Sequence, residues 1–406
     1  MDIFYDFSSV VSPIYYIALF FLMTITAFLL GLVRFIGPVA FASLYFYGAL
    51  LIMMHDGIEG LLHGLLLAPT FLCFLYLGAV SKPIRITLRS SRSTDFTLFF
   101  LLFSVACCFA YLLLLFYIAK SYSLSFPKVD KLAWALGAGL APYVYSLFSG
   151  VLMTCAFLLF FKKKYIVFSF AAFSLVVGGY VMGEKVALVN LLFLVVVCLL
   201  SQREGVRFWI YFSGFSLISM ALTVLVFFGG LDGDLAAAVD AFLIRVVATF
   251  DGTIIIVMLG LSDTLELPHS FLYYAFQFFT SRIDGVEPGL GQILAGFEVY
   301  PYPENGGPND SLVNYYMLGG FFDKAFVFLF VASFAFLLGM IDNIIKSGRF
   351  AQYPFAWSFV LVPLYFMLPA FFQATGTAFL LIAKYYVFLL PAIALIFSMR
   401  RLLNVK

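Results

Sequence analysis

The sequence predicts an all-α polytopic membrane protein, and three observations predict it. Hydrophobic residues fill 64% of the 406 positions against 11% charged, and the mean hydropathy of +1.08 lies far above that of a soluble domain. Apolar runs of about 18 or more residues recur along the chain, each long enough to cross roughly 30 Å of hydrocarbon as a helix. The alternating ten-residue pattern of a membrane β-barrel is absent from the sequence.

Taken in order, the runs place spans near 13–33, 36–54, 61–80, 97–118, 134–161, 165–182, 185–200, 207–229, 320–341, 354–372 and 377–398, about eleven transmembrane helices in all. Basic residues mark their ends. The first two spans flank Arg34, and the third ends before Lys82, Arg85, Arg89 and Arg92. The fifth and sixth flank Lys162 to Lys164, and the seventh and eighth flank Arg203 and Arg207. The ninth runs to Lys346 and Arg349, and the last to Arg400, Arg401 and Lys406. These are 15 of the 23 Lys and Arg residues, all on one side, joined there by only three of the 21 acids, Asp95, Glu204 and Asp342. The positive-inside rule makes that side cytoplasmic, with the N-terminus outside and the C-terminus inside.

The net charge of +2 gives no sign of a nucleic-acid partner. Cys73, Cys107, Cys108, Cys155 and Cys198 all lie in apolar runs without metal-ligand spacing, which predicts buried packing rather than disulfides or zinc. The start, MDIFYDFSSVVSP, is acidic and lacks the basic region and cleavage site of a removable signal peptide.

One connection differs from the rest. The chain divides into N-terminal transmembrane helices at 1–229, a large external loop at 230–319 and C-terminal transmembrane helices at 320–406. A loop of about ninety residues is uncommon unless it is functional, so the chemistry is expected there. Within it, an amphipathic helix is predicted around 236–262 and an apolar helix around 268–280, followed by the turn-rich SRIDGVEPGLGQ. The charges Asp240, Arg245 and Asp251 argue against a lipid-exposed span in 236–262.

Arg245 and Arg282 carry planar forks suited to phosphate oxygens, although pairing with Asp251 or Asp284 would equally explain them. Glu184 and Lys185 open a span; Lys185 is placed either to neutralise an anionic headgroup or to mark the membrane boundary. Lys384 lies about a third of the way into the last span. His55, Asp56, Glu59 and His63 form a polar knot whose spacing suits a helix-start cap as well as a metal site, and the cap is the expectation. In PYPENGGPNDSLVNYYMLGGFFDKAF, Asn305 to Pro308 make a turn and Asn309 or Asp310 is placed to cap the next helix. Gly319 and Gly320 permit close approach of a helix or ligand.

The stretches PNDSLVNYYMLGGFFDKAFVFLF and GEKVALVNLLFLVVVCLLSQRE resemble the O-antigen polymerase and ligase superfamily, the Wzy-type polymerases in particular. Asn309 stands where ligases of that superfamily tend to have histidine, a departure that favours polymerase over ligase. The resemblance implies a GT-C-like fold and an inverting, metal-independent glycosyltransferase of the bacterial inner membrane, needing no cofactor. It joins undecaprenyl-pyrophosphate-linked oligosaccharide repeats outside the membrane, for O-antigen or capsule, with a chain-length-regulating membrane protein as a candidate partner. On that reading Asp310, Glu287, Asp284 and His269 are the candidate bases. Arg245, Arg282, Lys185 and Asn309 are candidate ligands of the substrate, with Tyr300, Tyr302, Tyr315 and Tyr316 as the aromatic surface for sugar. A lipid-linked saccharide flippase is the alternative from another class. The charge gathered on one loop and the lack of internal repeats weigh against it.

Overall fold

The structure, a computed structural model, describes residues 13–31, 35, 37–81, 95–125, 128–129, 140–182, 248–276, 290–296, 309–346 and 355–403. Almost all of these are helical. In chain order the helices are α1 (Pro13–Leu30), α2 (Pro38–Met53), α3 (Gly57–Val80), α4 (Asp95–Tyr122), α5 (Ala141–Phe161) and α6 (Tyr165–Val181). A 3-10 turn, Ala248–Phe250, leads into α7 (Asp251–Met258), α8 (Leu261–Thr264), α9 (Phe271–Phe276) and α10 (Leu290–Ala295). The chain closes with α11 (Leu312–Leu318), α12 (Phe321–Lys346), α13 (Phe355–Met367), α14 (Ala370–Gln373) and α15 (Thr375–Leu403). The described strands are a minimal antiparallel ladder, Ser123–Ser125 with Lys128–Val129.

Four described helices are long and apolar enough to cross a membrane: Gly57–Val80, Leu98–Tyr122, Ala141–Phe161 and Phe321–Ile345; five shorter apolar helices accompany them. Their outward faces are apolar too: Phe28 is 81% exposed and Leu113 70%. Such surfaces suit a bilayer rather than water. The spans expected at 185–200 and 207–229 lie outside the described residues.

Two expected elements change on folding. The span at 354–372 is interrupted between Met367 and Ala370, because Pro369 has no N–H to give the carbonyl one turn back. In the described part of 236–262, helix runs only over Asp251–Met258 and then stops at Gly260, whose φ of +59° turns the chain into α8. Asp251 through Ile256 are buried. That part of the expected amphipathic helix is therefore a short core element.

The chain folds as two compact units, each assembled from separated stretches. The first comprises Met1–Pro83, Arg203–Lys346 and Met367–Leu380. Its spine is the pair α3 and α12. Lys324 Nζ lies 3.4 Å from Glu59 Oε1 near the start of both helices, and Asn343 Nδ2 donates to Ser81 O at 3.1 Å near their ends. The two helices therefore run parallel, side by side. Between those contacts, Gly78 lies against the backbone of Phe336 and Met340, and Gly339 against that of Leu75 and Ala79. Small residues let helix backbones approach in a bilayer, where lipid tails are as apolar as the side chains they would replace. Gly78→Ala is expected to destabilise the protein by about 1–3 kcal/mol, since the new methyl meets a backbone carbonyl that cannot rotate away. Thermal unfolding in detergent checks this, with Gly320→Ala as the silent control because open space surrounds that position.

Helix α2 packs on this pair through rings. Phe46, Phe71 and Phe372 form a triangle with centroid separations of 4.6, 5.5 and 5.2 Å. Helix α1 is tied to α2 by Tyr15 OH donating to Gly48 O at 3.0 Å and by the 2.9 Å Thr26–Tyr47 hydroxyl pair.

The second unit comprises Ile84–Gln202, Ser347–Phe366 and Leu381–Lys406. Here Gly178 makes room for Tyr111 and Gly150 for the ring of Tyr385, whose hydroxyl donates to Phe359 O at 2.8 Å. Lys384 Nζ sits 5.9 Å from the ring centroid of Tyr143, which gives this half-buried cation an aromatic face. Cys107, Cys108 and Cys155 are buried as expected, whereas Cys73, in the first unit, turns outward.

Candidate functional site

The polar groups of the first unit converge where α7, α11 and the start of α15 meet. Ser311 caps α11: its Oγ accepts from Asn314 N at 3.3 Å and donates to Asn314 Oδ1 at 2.9 Å. The cap is thus neither Asn309 nor Asp310, because Ser311 is the residue with the extended backbone (φ −66°, ψ 160°) immediately before the first helical turn. The two residues before it are released for other bonds.

Asn309 turns to α7. Asp251 Oδ1 accepts from Asn309 N at 2.8 Å, from Asn309 Nδ2 at 3.2 Å and from Gly252 N at 2.8 Å. Asn314, fully buried, closes the network: its Oδ1 also accepts from Thr253 Oγ1, and its Nδ2 donates to Asn309 O at 2.8 Å. A Cβ at position 252 would strike Asn309 O and Asn314 Nδ2, so Gly252 is what lets the two segments touch.

Asp310 points the other way. Its Oδ2 accepts from Tyr315 OH at 2.9 Å and from Gly376 N at 3.1 Å, and its carbonyl accepts from Thr375 N at 3.0 Å. The carboxylate therefore caps the start of α15, a helix more than sixty positions away in sequence. Crowding of protein atoms around the carboxyl pushes its pKa up to about 6, against the opposing pull of the Tyr315 and Gly376 donors. The residue still keeps some accessible surface. Both described hydrogen bonds to the carboxyl from other residues end on Oδ2.

Tyr315 has a task different from stacking on sugar. It is 1% exposed, with Phe271 and Tyr274 on its ring at 5.1 and 6.0 Å. Burial, with the Asp310 charge beside it, holds its hydroxyl well above the ordinary phenol range, so it stays a donor. His269 joins the same aromatic wall, its ring 4.2 Å from Tyr273 and 6.3 Å from Tyr274. Asp323 Oδ1 accepts from Phe271 N at 2.9 Å and so pins α9 to α12.

Beside this wall lies a cleft. Met53, Asp56, Glu59, Gly60, His63, Ser262, Asp263, Tyr316, Met317 and Lys324 line a small space of about 100 Å³ that is half open to solvent. Tyr316 OH meets His63 Nδ1 at 2.9 Å, and His63 Nε2 meets Glu59 Oε1 at 3.1 Å. The tautomer with hydrogen on Nε2 satisfies both bonds, with the phenol donating and the carboxylate accepting. Asp56 occupies the N-cap position of α3 but its side chain makes no cap bond. Among the described residues no three His, Cys, Asp or Glu side chains are placed to hold a metal. The Glu59–His63 spacing of four was legible as one helix face; its union with Tyr316 and Lys324, some 250 residues later, was not.

Arg245, Arg282, Lys185, Asp284, Glu287, Tyr300 and Tyr302 lie outside the described residues, as does the turn at 305–308. Of the other predicted site residues, the structure pairs Asp310 with Tyr315, sets Asn309 in the separate network of Asp251 and Asn314, and places His269 on the aromatic border of Tyr315. No protein-family model, curated protein or solved structure matches this chain.

Proposed function

We propose that this protein is an oligosaccharide repeat-unit polymerase: a GT-C-like, inverting, metal-independent glycosyltransferase. It would extend undecaprenyl-pyrophosphate-linked glycans at the external face of a bacterial inner membrane. The observation that carries the reading is Asp310, a carboxyl outside the candidate spans whose pKa, raised to about 6, suits proton uptake near neutral pH. The reaction asks for one such base. The Asp310 carboxylate accepts the proton of an acceptor hydroxyl as the hydroxyl oxygen forms a bond to the donor's anomeric carbon. The bond from that carbon to the lipid pyrophosphate breaks, and the pyrophosphate leaves with the electron pair. Arg245 and Arg282 are the cations proposed to hold it. Purified protein in bilayer discs, given a synthetic lipid-linked repeat unit, should produce a ladder of longer glycans. Transfer only to a different lipid acceptor would make it a ligase, and translocation without new glycosidic bonds would make it a transporter.

The proposed topology has eleven spans, with the N-terminus outside, the C-terminus cytoplasmic and residues 230–319 outside. Its support is the basic clustering and the parallel run of α3 and α12, which puts the starts of both helices at one end, as this topology requires. A cysteine introduced at 305 in a cysteine-free background should react with an impermeant reagent in intact spheroplasts. Labelling that needs permeabilisation would reverse the orientation.

A further inference from the structure

We propose that the cleft between the starts of α3 and α12 binds a sugar residue that carries no net negative charge. In naming that sugar as part of the acceptor glycan, the inference rests on the glycosyl-transfer reading. The lining holds three carboxylates, Asp56, Glu59 and Asp263, which outnumber Lys324 and His63 together. A pyrophosphate or an acidic sugar would meet net repulsion there. The carboxylates are not arranged for a metal among the described residues, and those of Asp56 and Asp263 make no described hydrogen bond. Carboxylate oxygens spread around a half-open cleft are acceptors for neighbouring hydroxyls, and Lys324 adds donors. Met53 and Met317 supply an apolar surface for the carbon face of a pyranose ring.

The wall is held in place before any ligand arrives. His63 is fixed between Glu59 and Tyr316, Lys324 lies against both Glu59 and the Tyr316 ring, and Tyr316 itself is only 4% exposed. Tyr316 also follows Tyr315, the partner of Asp310, so one short helix carries a side chain of each site.

The chain has three histidines, which makes His63 a usable reporter. Full-length protein with ¹⁵N-labelled histidine in bilayer discs would be titrated at constant pH and ionic strength with glucose, glucosamine and inorganic pyrophosphate. His55→Gln and His269→Gln assign the signals. The His63 ring resonances are expected to move with both sugars, saturating in the millimolar range, and to stay in place with pyrophosphate. Asp263→Asn should weaken glucosamine by about tenfold, the scale of one charge-assisted hydrogen bond. A His63 signal unmoved by either sugar, or moved as strongly by pyrophosphate, overturns the proposal. Because this readout needs no turnover, the two readings fail separately. A responsive His63 in a protein that extends no chains removes the transferase reading and leaves the site; extended chains with a silent His63 do the reverse.

Discussion

Asp310→Asn is expected to cut chain extension by about 100-fold, the usual scale of general-base catalysis, while the protein still folds and inserts. The amide keeps an oxygen where Oδ2 now accepts from Tyr315 and Gly376, but it can no longer take a proton. Asp310→Ala removes the oxygen as well. It would leave the buried Tyr315 hydroxyl and the Gly376 N–H without their acceptor, at a cost of about 2–4 kcal/mol on top of the lost activity. The ordering of the two variants is the test. Normal polymer from folded Asp310→Asn protein would make this carboxylate a latch between α11 and α15 and send the search for the base to His269, Asp284 and Glu287. Linkage offers a second readout. The folded-state pKa of about 6 is raised above the ordinary carboxylate value, so this group's contribution to stability is fully present below about pH 4. It is lost as pH rises through 6, and Asp310→Asn should flatten that part of the stability profile. Denaturant unfolding at pH 4, 5, 6 and 7 measures it.

The largest stability effect is expected at Asn314, not at the candidate base. Asn314→Leu is close in size but strips away the partners of Thr253 Oγ1, Ser311 Oγ and Asn309 O in a fully buried position. Each orphaned group costs about 1–3 kcal/mol, so a loss of 3–5 kcal/mol is expected, enough to collapse the yield of a marginally stable protein. Asn314→Asp discriminates further. It can still accept from Thr253 and Ser311, but it loses the donor to Asn309 O and sets a second carboxylate into the network that holds Asp251. It should be nearly as damaging as leucine. Thermal unfolding of detergent-solubilised protein near that of the parent for either variant would show that Asn314 does not hold α7 to α11.

Much of the helical plan was readable because hydropathy is a local property. The starts of α2, α3, α6, α12 and α15 fall within about four residues of the expected spans, whereas the glycine pair, read only as allowing close approach, breaks the chain into α11 and α12. What misled was equally local in origin. Asn309, Asp310 and Ser311 all cap helices well, and only the backbone angles at Ser311 decide among them. The charges in 236–262 argued against a lipid-exposed span, but an apolar stretch such as 251–258 reads alike whether one face meets solvent or protein surrounds it. In the structure it is protein, with Asp251 satisfied by the main chain and side chain of Asn309.

By itself, the sequence determined that the chain is helical and membrane-like, and roughly where its described apolar helices run. All of these depend on neighbours within a few turns of the chain. Tertiary structure alone decided which polar residues act together: Asp310 with Gly376, Asn309 with Asp251, and Glu59 and His63 with Tyr316 and Lys324. Each of these unions spans tens to hundreds of residues and depends on which helices pack side by side. That choice is made by glycines such as Gly78, Gly252 and Gly339, whose missing side chains have no counterpart in any hydropathy pattern.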